Sequence, residues 1–278
     1  MVFGKSKSEF MILKKLNAIK DALLEVPEPI KGTDILRILE SKLADRIPQS
    51  ALYDLINDNV IIVKTTSVDI ASYTFEINKA KASDLEVLEH SLENYMNPLI
   101  QNQDKLVWSY PRDIGLEKIK GAVQLYPELC SLISSSTESI FIVNPFFDFG
   151  GVENIAPYLD SALDRGVRIR MITSKPLTAI NLKDEDDPFS YMISSLKSKK
   201  SKNLAVKSFY GNQGTLTYST HAKFMIFDNK CAYLGSANLT RRSLSANVEL
   251  GIIAFDSKVK TLVEIFGRIW NLGSEIKL

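Results

Sequence analysis

HAKFMIFDNKCAYLGSAN, residues 221–238, is the stretch that decides how this chain folds. Phe224–Phe227 and Cys231–Leu234 are apolar runs too short for helices, and the polar Asp228-Asn229-Lys230 between them reads as a turn. A strand from His221 to Phe227 places His221 and Lys223 on one side, because alternate side chains share a face. Ala222, Phe224, Met225 and Ile226 are apolar, as a strand buried on both faces requires. An imidazole and an ammonium side by side in that low dielectric are costly unless an anion binds between them, and phosphate is the natural candidate. The second strand delivers Gly235-Ser236-Ala237-Asn238 at its end. Glycine lets backbone come close to a ligand, and the serine hydroxyl and asparagine amide are donors for phosphate oxygens. Further on, Asn247-Val-Glu249 opens another apolar strand, Val248–Phe255. A carboxylate at Glu249 that accepts from the His221 Nδ1–H leaves Nε2 free to attack.

Outward from this hairpin, helices and strands alternate from about residue 114 onward. The pattern predicts a helix through Leu116–Ile133, a strand at Ile140–Asn144, a helix at Val152–Arg165, a strand at Val167–Thr173 and a helix near 189–198. Strands at Leu204–Tyr210 and near Thr215–Ser219 precede the hairpin, and a last helix covers Lys258–Asn271. Such alternation indicates α/β layers, a central sheet covered by helices. No internal repeat is visible.

The first eighty residues read differently. Leu13, Leu16, Ile19, Leu23 and Leu24 form a helical stripe that Val26-Pro-Glu-Pro29 stops. Thr33 is placed to cap a second helix carrying Ile35, Leu36, Ile38, Leu39 and Leu43. Pro48 opens a third, with Ala51, Leu52, Leu55 and Ile56 facing inward. Two β-rich runs follow, Val60–Thr65 and Ser72–Ile77. Three helices and a hairpin in this order resemble a winged helix-turn-helix. In such domains the third helix enters the major groove, yet this one holds Asp54 and Asp58 and no basic residue, which phosphates repel. Gln49, Ser50, Asn57 and Lys64 remain for nucleic acid, and contact with a protein partner is the alternative use. Leu85, Leu88, Leu92 and Tyr95 mark a connecting helix that ends near Pro98, suited either to dimerisation or to packing on its own domain. Tyr110-Pro111-Arg112 marks entry to the second domain. The expected division is 1–80, a winged-helix-like domain; 81–110, connecting helix and linker; and 111–278, a catalytic domain.

Composition excludes little. Hydrophobic residues make up 45% and charged residues 24% of the 278, and the net charge is +1. Residues 1–100 hold 12 basic and 15 acidic side chains, so the rest is mildly basic, too mildly to indicate nucleic acid. No apolar run reaches the length of a membrane span, and MVFGKSKSEF lacks the marks of a signal peptide, so a cytoplasmic protein without membrane contact is expected. Cys130 and Cys231, each in an apolar segment, read as buried reduced thiols. No Cys/His spacing suits zinc.

The pattern H-x-K-x4-D-x6-G-S-x-N, met by His221, Lys223, Asp228, Gly235, Ser236 and Asn238 and followed by Asn247 and Glu249, resembles the phospholipase D superfamily. The likeness implies an α/β fold, a phospholipase D-like mixed sheet flanked by helices, here with a small N-terminal α+β winged-helix-like domain. It implies a metal-independent phosphodiesterase needing no cofactor. The catalytic set carried over is His221, Lys223, Asp228 and Glu249: His221 as nucleophile forming a phosphohistidine, Glu249 orienting it, Asp228 as structural support in the turn. Substrate contacts are Lys223, Ser236 and Asn238, with Arg241 and Arg242 on flanking phosphates.

The mechanism that the resemblance implies needs a second histidine, to protonate the leaving oxygen and then activate water. The chain has two histidines in all. His90 lacks a lysine two residues on and sits in the connecting helix, so the partner comes from a second copy, and a homodimer with a shared active site is expected. Three functions compete: a nuclease acting on DNA ahead of RNA, a phospholipase or phosphatidyltransferase, and a non-catalytic DNA-binding regulator. The single motif, the winged-helix-like appendage and the lack of membrane features favour the nuclease, and DNA restriction or antiphage defence follows by analogy. Lys197, Lys199, Lys200 and Lys202 form a basic loop. Phe146, Phe147 and Phe149 are read as core aromatics or base-stacking groups. Asp184–Asp187 is read as a surface loop or a screen over the cleft.

Overall fold

The computed structural model describes residues 7–44, 47, 49–66, 70–96, 103–111, 116, 119, 122–196 and 202–278. Pro48, Pro98, Arg112, Lys197, Lys199, Lys200 and the Ser50 side chain lie outside the described residues. The chain divides into two compact units, residues 1–102 and 103–278. The segment 81–110, expected as connector, is therefore split: its helix belongs to the first unit and its last residues form a strand of the second.

The first unit contains α1 (Lys7–Glu25), β1 (Ile30–Lys31), α2 (Gly32–Leu43), α3 (Ser50–Asn57), β2 (Ile61–Thr65), β3 (Thr74–Ile77), α4 (Lys79–Ser83) and α5 (Leu85–Met96). β2 and β3 pair antiparallel, and β1, too short to read from the sequence, adds to β3 with Ile30 opposite Phe75. The helical stripes converge on one core that includes Leu16, Ile35, Leu39, Leu52, Leu55 and Phe75. Thr33 is not the cap of α2. That position falls to Lys31, which makes no side-chain capping bond.

α5 packs into this same core through Leu88, Leu92, Tyr95 and Met96, which settles the choice between dimerisation and its own domain for that face. It also meets the acidic residues of α3. Tyr95 Oη donates to Asp54 Oδ2 (2.6 Å), Ser91 Oγ donates to Asp58 Oδ2 (2.6 Å), and His90 Nδ1 lies 3.0 Å from Asp58 Oδ2. The two carboxylates read as a repulsive surface are thus interior hydrogen-bond acceptors. Lys64 pairs with Glu76 across the hairpin at 2.9 Å.

The second unit contains β4 (Lys105–Ser109), β5 (Ala122–Gln124), α6 (Leu125–Ser135), β6 (Ser139–Val143), α7 (Phe149–Asp164), β7 (Arg168–Thr173), α8 (Pro188–Ser195), β8 (Leu204–Ser208), β9 (Tyr210–Gln213), β10 (Leu216–Ser219), β11 (Phe224–Phe227), β12 (Cys231–Gly235), α9 (Arg241–Ser245), β13 (Glu249–Phe255), α10 (Ser257–Leu272) and β14 (Ser274–Ile276). Nine strands form one mixed sheet in the order β14-β8-β7-β6-β11-β12-β13-β4-β5, and β9 and β10 form a separate hairpin. β6, β7 and β8 run parallel, while β11, β12 and β13 are antiparallel to their neighbours. Every residue of β6 and β11 is buried, which explains their unbroken apolar runs. Helices α6 to α9 cover one face through Leu129, Leu159, Met192 and Leu244. Helix α10 covers the other through Val259, Leu262 and Phe266.

The helix expected at Leu116–Ile133 is shorter: β5 takes Ala122–Gln124, and α6 begins at Leu125. β4 and β14, both at or near the sheet margins, are short strands whose sequences carry little periodicity. Asp187 in the acidic run accepts from Ser190 N at the start of α8 (2.9 Å) and pairs with Lys175, so it is a helix cap. Cys130 and Cys231 are buried thiols, and burial pushes Cys231 up to about 12.

The β11–β12 turn holds Asp228 and Asn229 at φ 52° and 53°, the left-handed backbone a tight hairpin needs at both central positions. The Asp228 carboxylate then accepts from the backbone N–H groups of Thr137 (2.9 Å), Glu138 (2.8 Å) and Ser139 (2.9 Å) and from the Thr137 hydroxyl (3.2 Å). This clamp ties the turn to the start of β6. Burial pushes the Asp228 carboxyl up, but these hydrogen bonds outweigh it and hold it below its usual value. A depressed carboxyl stabilises the fold above its unfolded pKa and loses that contribution as pH falls through the folded one. Asp228→Ala is expected to cost roughly 2–3 kcal/mol at pH 7. The deficit should shrink below about pH 4 as the wild-type carboxyl protonates, and urea unfolding at pH 7 and pH 3 measures both.

Candidate active site

The site forms at the sheet end where β6 and β12 finish and β11 and β13 begin. Antiparallel pairing of Phe224 with both Val143 and Leu234, and of Gly235 with Gly251, brings those four strand ends together. His221 and Lys223 lie just before β11 rather than on it, because the strand starts at Phe224. They converge nonetheless. Lys223 Nζ lies 3.1 and 3.2 Å from the two ring nitrogens of His221 and donates to the His221 carbonyl at 2.9 Å. Lys223 is buried, His221 is exposed, and the Lys223 carbonyl accepts from Gly235 N (3.2 Å), so the lysine backbone still belongs to the ladder. Burial pushes the Lys223 ammonium down from its usual value, and the Glu249 carboxylate pulls it part of the way back.

Glu249, expected to hold the His221 ring, is bound otherwise. Ser236 Oγ donates to its Oε2 at 2.5 Å and Asn247 Nδ2 to its Oε1 at 3.4 Å. Among the described residues no hydrogen bond joins Glu249 to His221. Ser236 is thereby drawn into the carboxylate's shell, and its Oγ also accepts from Leu250 N (3.2 Å).

The Gly235–Asn238 turn rests on Tyr233, whose hydroxyl accepts from Ala237 N (3.2 Å) and whose phenol burial pushes up to about 12. Gly235 is required by this packing. A Cβ there would lie 2.5 Å from the Tyr233 hydroxyl and 2.8 Å from the Leu250 carbonyl oxygen. The Asn238 side chain has its Oδ1 buried without a hydrogen-bond partner, so the accessible end of the amide is the Nδ2 donor. Asp228 lies five residues past Lys223, roughly 16 Å away along the strand. Its contacts are those of the turn clamp.

The loop after β6 completes the wall, and the sequence hardly announced it. Asn144 is buried, and its Oδ1 accepts from Leu239 N at 3.3 Å. Asp148 Oδ1 accepts from Gly151 N (2.7 Å) and Arg241 N (2.8 Å), joining the starts of α7 and α9. Besides its phenylalanines, the signal was an Asp three residues ahead of Gly151, the spacing of a helix N-cap. The phenylalanines divide. Phe147 packs on the core against Phe189, whereas Phe146 is half exposed with its ring edge to face with His221 at 5.8 Å, and Phe149 is exposed beside Tyr191. Arg241 and Arg242 are exposed on α9, just past Asn238, and Lys202 is exposed before β8. Among the described residues no three His, Cys, Asp or Glu side chains cluster as metal ligands would, and no helix is long and apolar enough to cross a membrane.

Gly151 in the first turn of α7 packs against Leu239–Thr240: a Cβ would stand 2.2 Å from the Leu239 carbonyl oxygen and 2.6 Å from Thr240 Cα. Gly151→Ala must therefore shift the segment that follows Asn238. We expect at least a tenfold loss of turnover, since misplacement of about 1 Å costs that much or more, with a circular dichroism spectrum unchanged.

Residues 129–270, about half of the chain, match the protein family described as "Cardiolipin synthase, PLD-like domain". Cardiolipin synthase A of Pseudomonas syringae pv. syringae (strain B728a) is 31% identical over 158 residues, 54% of this chain and 30% of that protein. The 5'-3' exonuclease PLD3 of Rattus norvegicus is 30% identical over 124 residues, 44% of this chain and 22% of that protein. Among solved structures, NucT from Helicobacter pylori aligns with a TM-score of 0.44 at 22% identity, covering 54% of this chain and 89% of that one. The chain spans less than a third of the length of the curated relatives it matches. The matched span holds every motif residue from His221 to Glu249, Asp228 in the turn clamp and the others at the sheet end just described, and the chain belongs to the phospholipase D superfamily, in the family of PLD-like domains.

Proposed function

We propose that this protein is a phosphodiesterase that cleaves nucleic acid, DNA ahead of RNA, with His221 as nucleophile and with two copies of the chain forming one site. The observation that carries the reading is the buried Lys223 ammonium beside His221, with the Asn238 donor at the same corner. His221 Nε2 attacks phosphorus and the bond to the leaving oxygen breaks. A second imidazole gives that oxygen its proton, then removes a proton from water, which attacks phosphorus and releases His221. Lys223 and Asn238 hold the phosphoryl oxygens throughout.

His90, the other histidine of this sequence, sits against Asp58 in the first unit, and we assign the role of the second imidazole to His221 of another copy. A surface suited to that copy adjoins the site. Ladder register puts Leu234, Ile252, Leu250 and Leu106 on one sheet face. Leu234, Leu250 and Leu106 are 42%, 59% and 52% exposed, an apolar patch that a second copy would cover.

The relatives' names include both a lipid synthase and an exonuclease. Nucleic acid is favoured by Arg241 and Arg242 beside the site and by the helix–strand order of residues 7–77, which resembles that of a winged helix and which we assign to binding DNA or a protein partner. Restriction of foreign DNA or antiphage defence is the setting we propose.

Purified protein should cut single- or double-stranded DNA or RNA in excess EDTA, and His221→Ala should lower turnover by about 10³-fold. Turnover of phosphatidylcholine or phosphatidylglycerol vesicles with no cleavage of any nucleic acid would select the lipid reading, and tight duplex binding without turnover the regulator. In a 1:1 mixture of exchanged wild-type and His221→Ala subunits, activity per wild-type subunit should fall to about half. Activity unchanged on mixing would rule out the shared site.

A further inference from the structure

Beside the phosphoryl site lies a cleft of about 630 Å3, lined by Trp108, Tyr110, Tyr126, Glu153, Asn154 and Arg241 among others. None of the residues from His221 to Asn238 that carry the motif lines it. Its neighbourhood to the chemistry is fixed by three contacts. Ser109 in its wall pairs with Glu249 across the β4–β13 ladder. The Ser109 hydroxyl donates to the carbonyls of Ser243 (2.6 Å) and Asn247 (3.1 Å), and Asn247 is the residue whose amide reaches Glu249. Arg241 stands three residues past Asn238, its N–H held by Asp148 and its side chain laid over Gly150, where a Cβ would come within 2.8 Å of it.

The wall combines aromatic faces with polar groups. The rings of Trp108 and Tyr110 lie 4.2 Å apart at 34°, and Gln124 Nε2 donates to the Tyr110 hydroxyl at 3.1 Å. The volume lies in the range of sites for small organic molecules, about 300–1,000 Å3. An acyl chain there would strip water from Arg241, Glu153, Asn154 and Gln124 and return no hydrogen bond. A nucleotide has a ring face for the aromatics, edge donors and acceptors for the amides, and a phosphate for the guanidinium.

We propose that this cleft receives the nucleotide flanking the scissile phosphate, its base against the Tyr110–Trp108 pair and its next phosphate on Arg241. The proposal rests on the nucleic-acid reading above and names the part of the substrate that reading leaves open. It makes the enzyme select for a base, and not for a bare phosphodiester, at one position.

The test uses the full chain carrying His221→Asn, which binds without turnover. It is titrated with fluorescently labelled hexathymidylate and with copies bearing one abasic residue at each position in turn. One abasic position should weaken binding roughly tenfold, the others little. Adding Tyr110→Ala should weaken the intact strand by a similar factor and erase that positional difference, while Tyr110→Phe, which keeps the ring, preserves it. Arg241→Gln should weaken intact and abasic strands alike and lower the slope of log Kd against log salt by about one. Strands bound equally well whatever the abasic position, or a positional penalty that survives Tyr110→Ala, would overturn the cleft while cleavage of oligonucleotides still stood. A protein that turns over lipid vesicles and neither binds nor cuts any strand would overturn the nucleic-acid reading and the cleft together.

Discussion

A lysine ammonium withdrawn from water and set against an imidazole sets the terms for this molecule. Lys223 touches two ring nitrogens and a carbonyl of His221. Among the described residues no carboxylate lies within ion-pair distance of it, and Glu249 acts on it from further off, its oxygens engaged by Ser236 and Asn247. Such a cation has lost solvation without gaining a contact ion pair. A phosphoryl oxygen about 4 Å away supplies roughly 4 kcal/mol of attraction at an effective dielectric of about 20. That is enough to make an anion the natural occupant of the corner.

The rest of the second unit keeps the corner open and fixed. The Asp228 clamp anchors the far end of β11 to the start of β6, so that the strand on which His221 and Lys223 depend has no freedom to slide. At the near end, Asn144 and Asp148 tie the loop after β6 to Leu239 and Arg241. Gly151 and Gly235 admit backbone contacts that any side chain would force apart. Residues away from the corner are in this way part of the same constraint: they set the spacing of those that stand at it.

The first unit illustrates how charge read along a chain misleads without its partners. Asp54 and Asp58 made α3 look hostile to phosphate, yet both are engaged by Tyr95, Ser91 and His90 on α5. What α3 presents elsewhere is largely neutral. The same contacts account for His90, whose ring serves as a neighbour of Asp58 and leaves His221 as the histidine at the motif.

The hairpin, the α/β alternation and the nearness of His221 to Lys223 were legible in the sequence. Each depends on spacing within a short segment, and short-range geometry is set by backbone periods of two and 3.6 residues. The supporting role of Asp228 was legible for the same reason: a carboxylate in a two-strand turn sits far from the strand's opposite end. What the sequence could not carry was which strands lie side by side and in what register. The bond of Glu249 to Ser236 in place of His221, and the assignment of Gly235 to Tyr233 and Leu250, came from the register of three strands. β4, which reaches the ladder from the expected linker, and the cleft it walls with Tyr126 and Arg241, came from the order of nine. Those were decided by tertiary structure alone, because which strand edges meet depends on how whole apolar faces bury one another, and no local pattern records it.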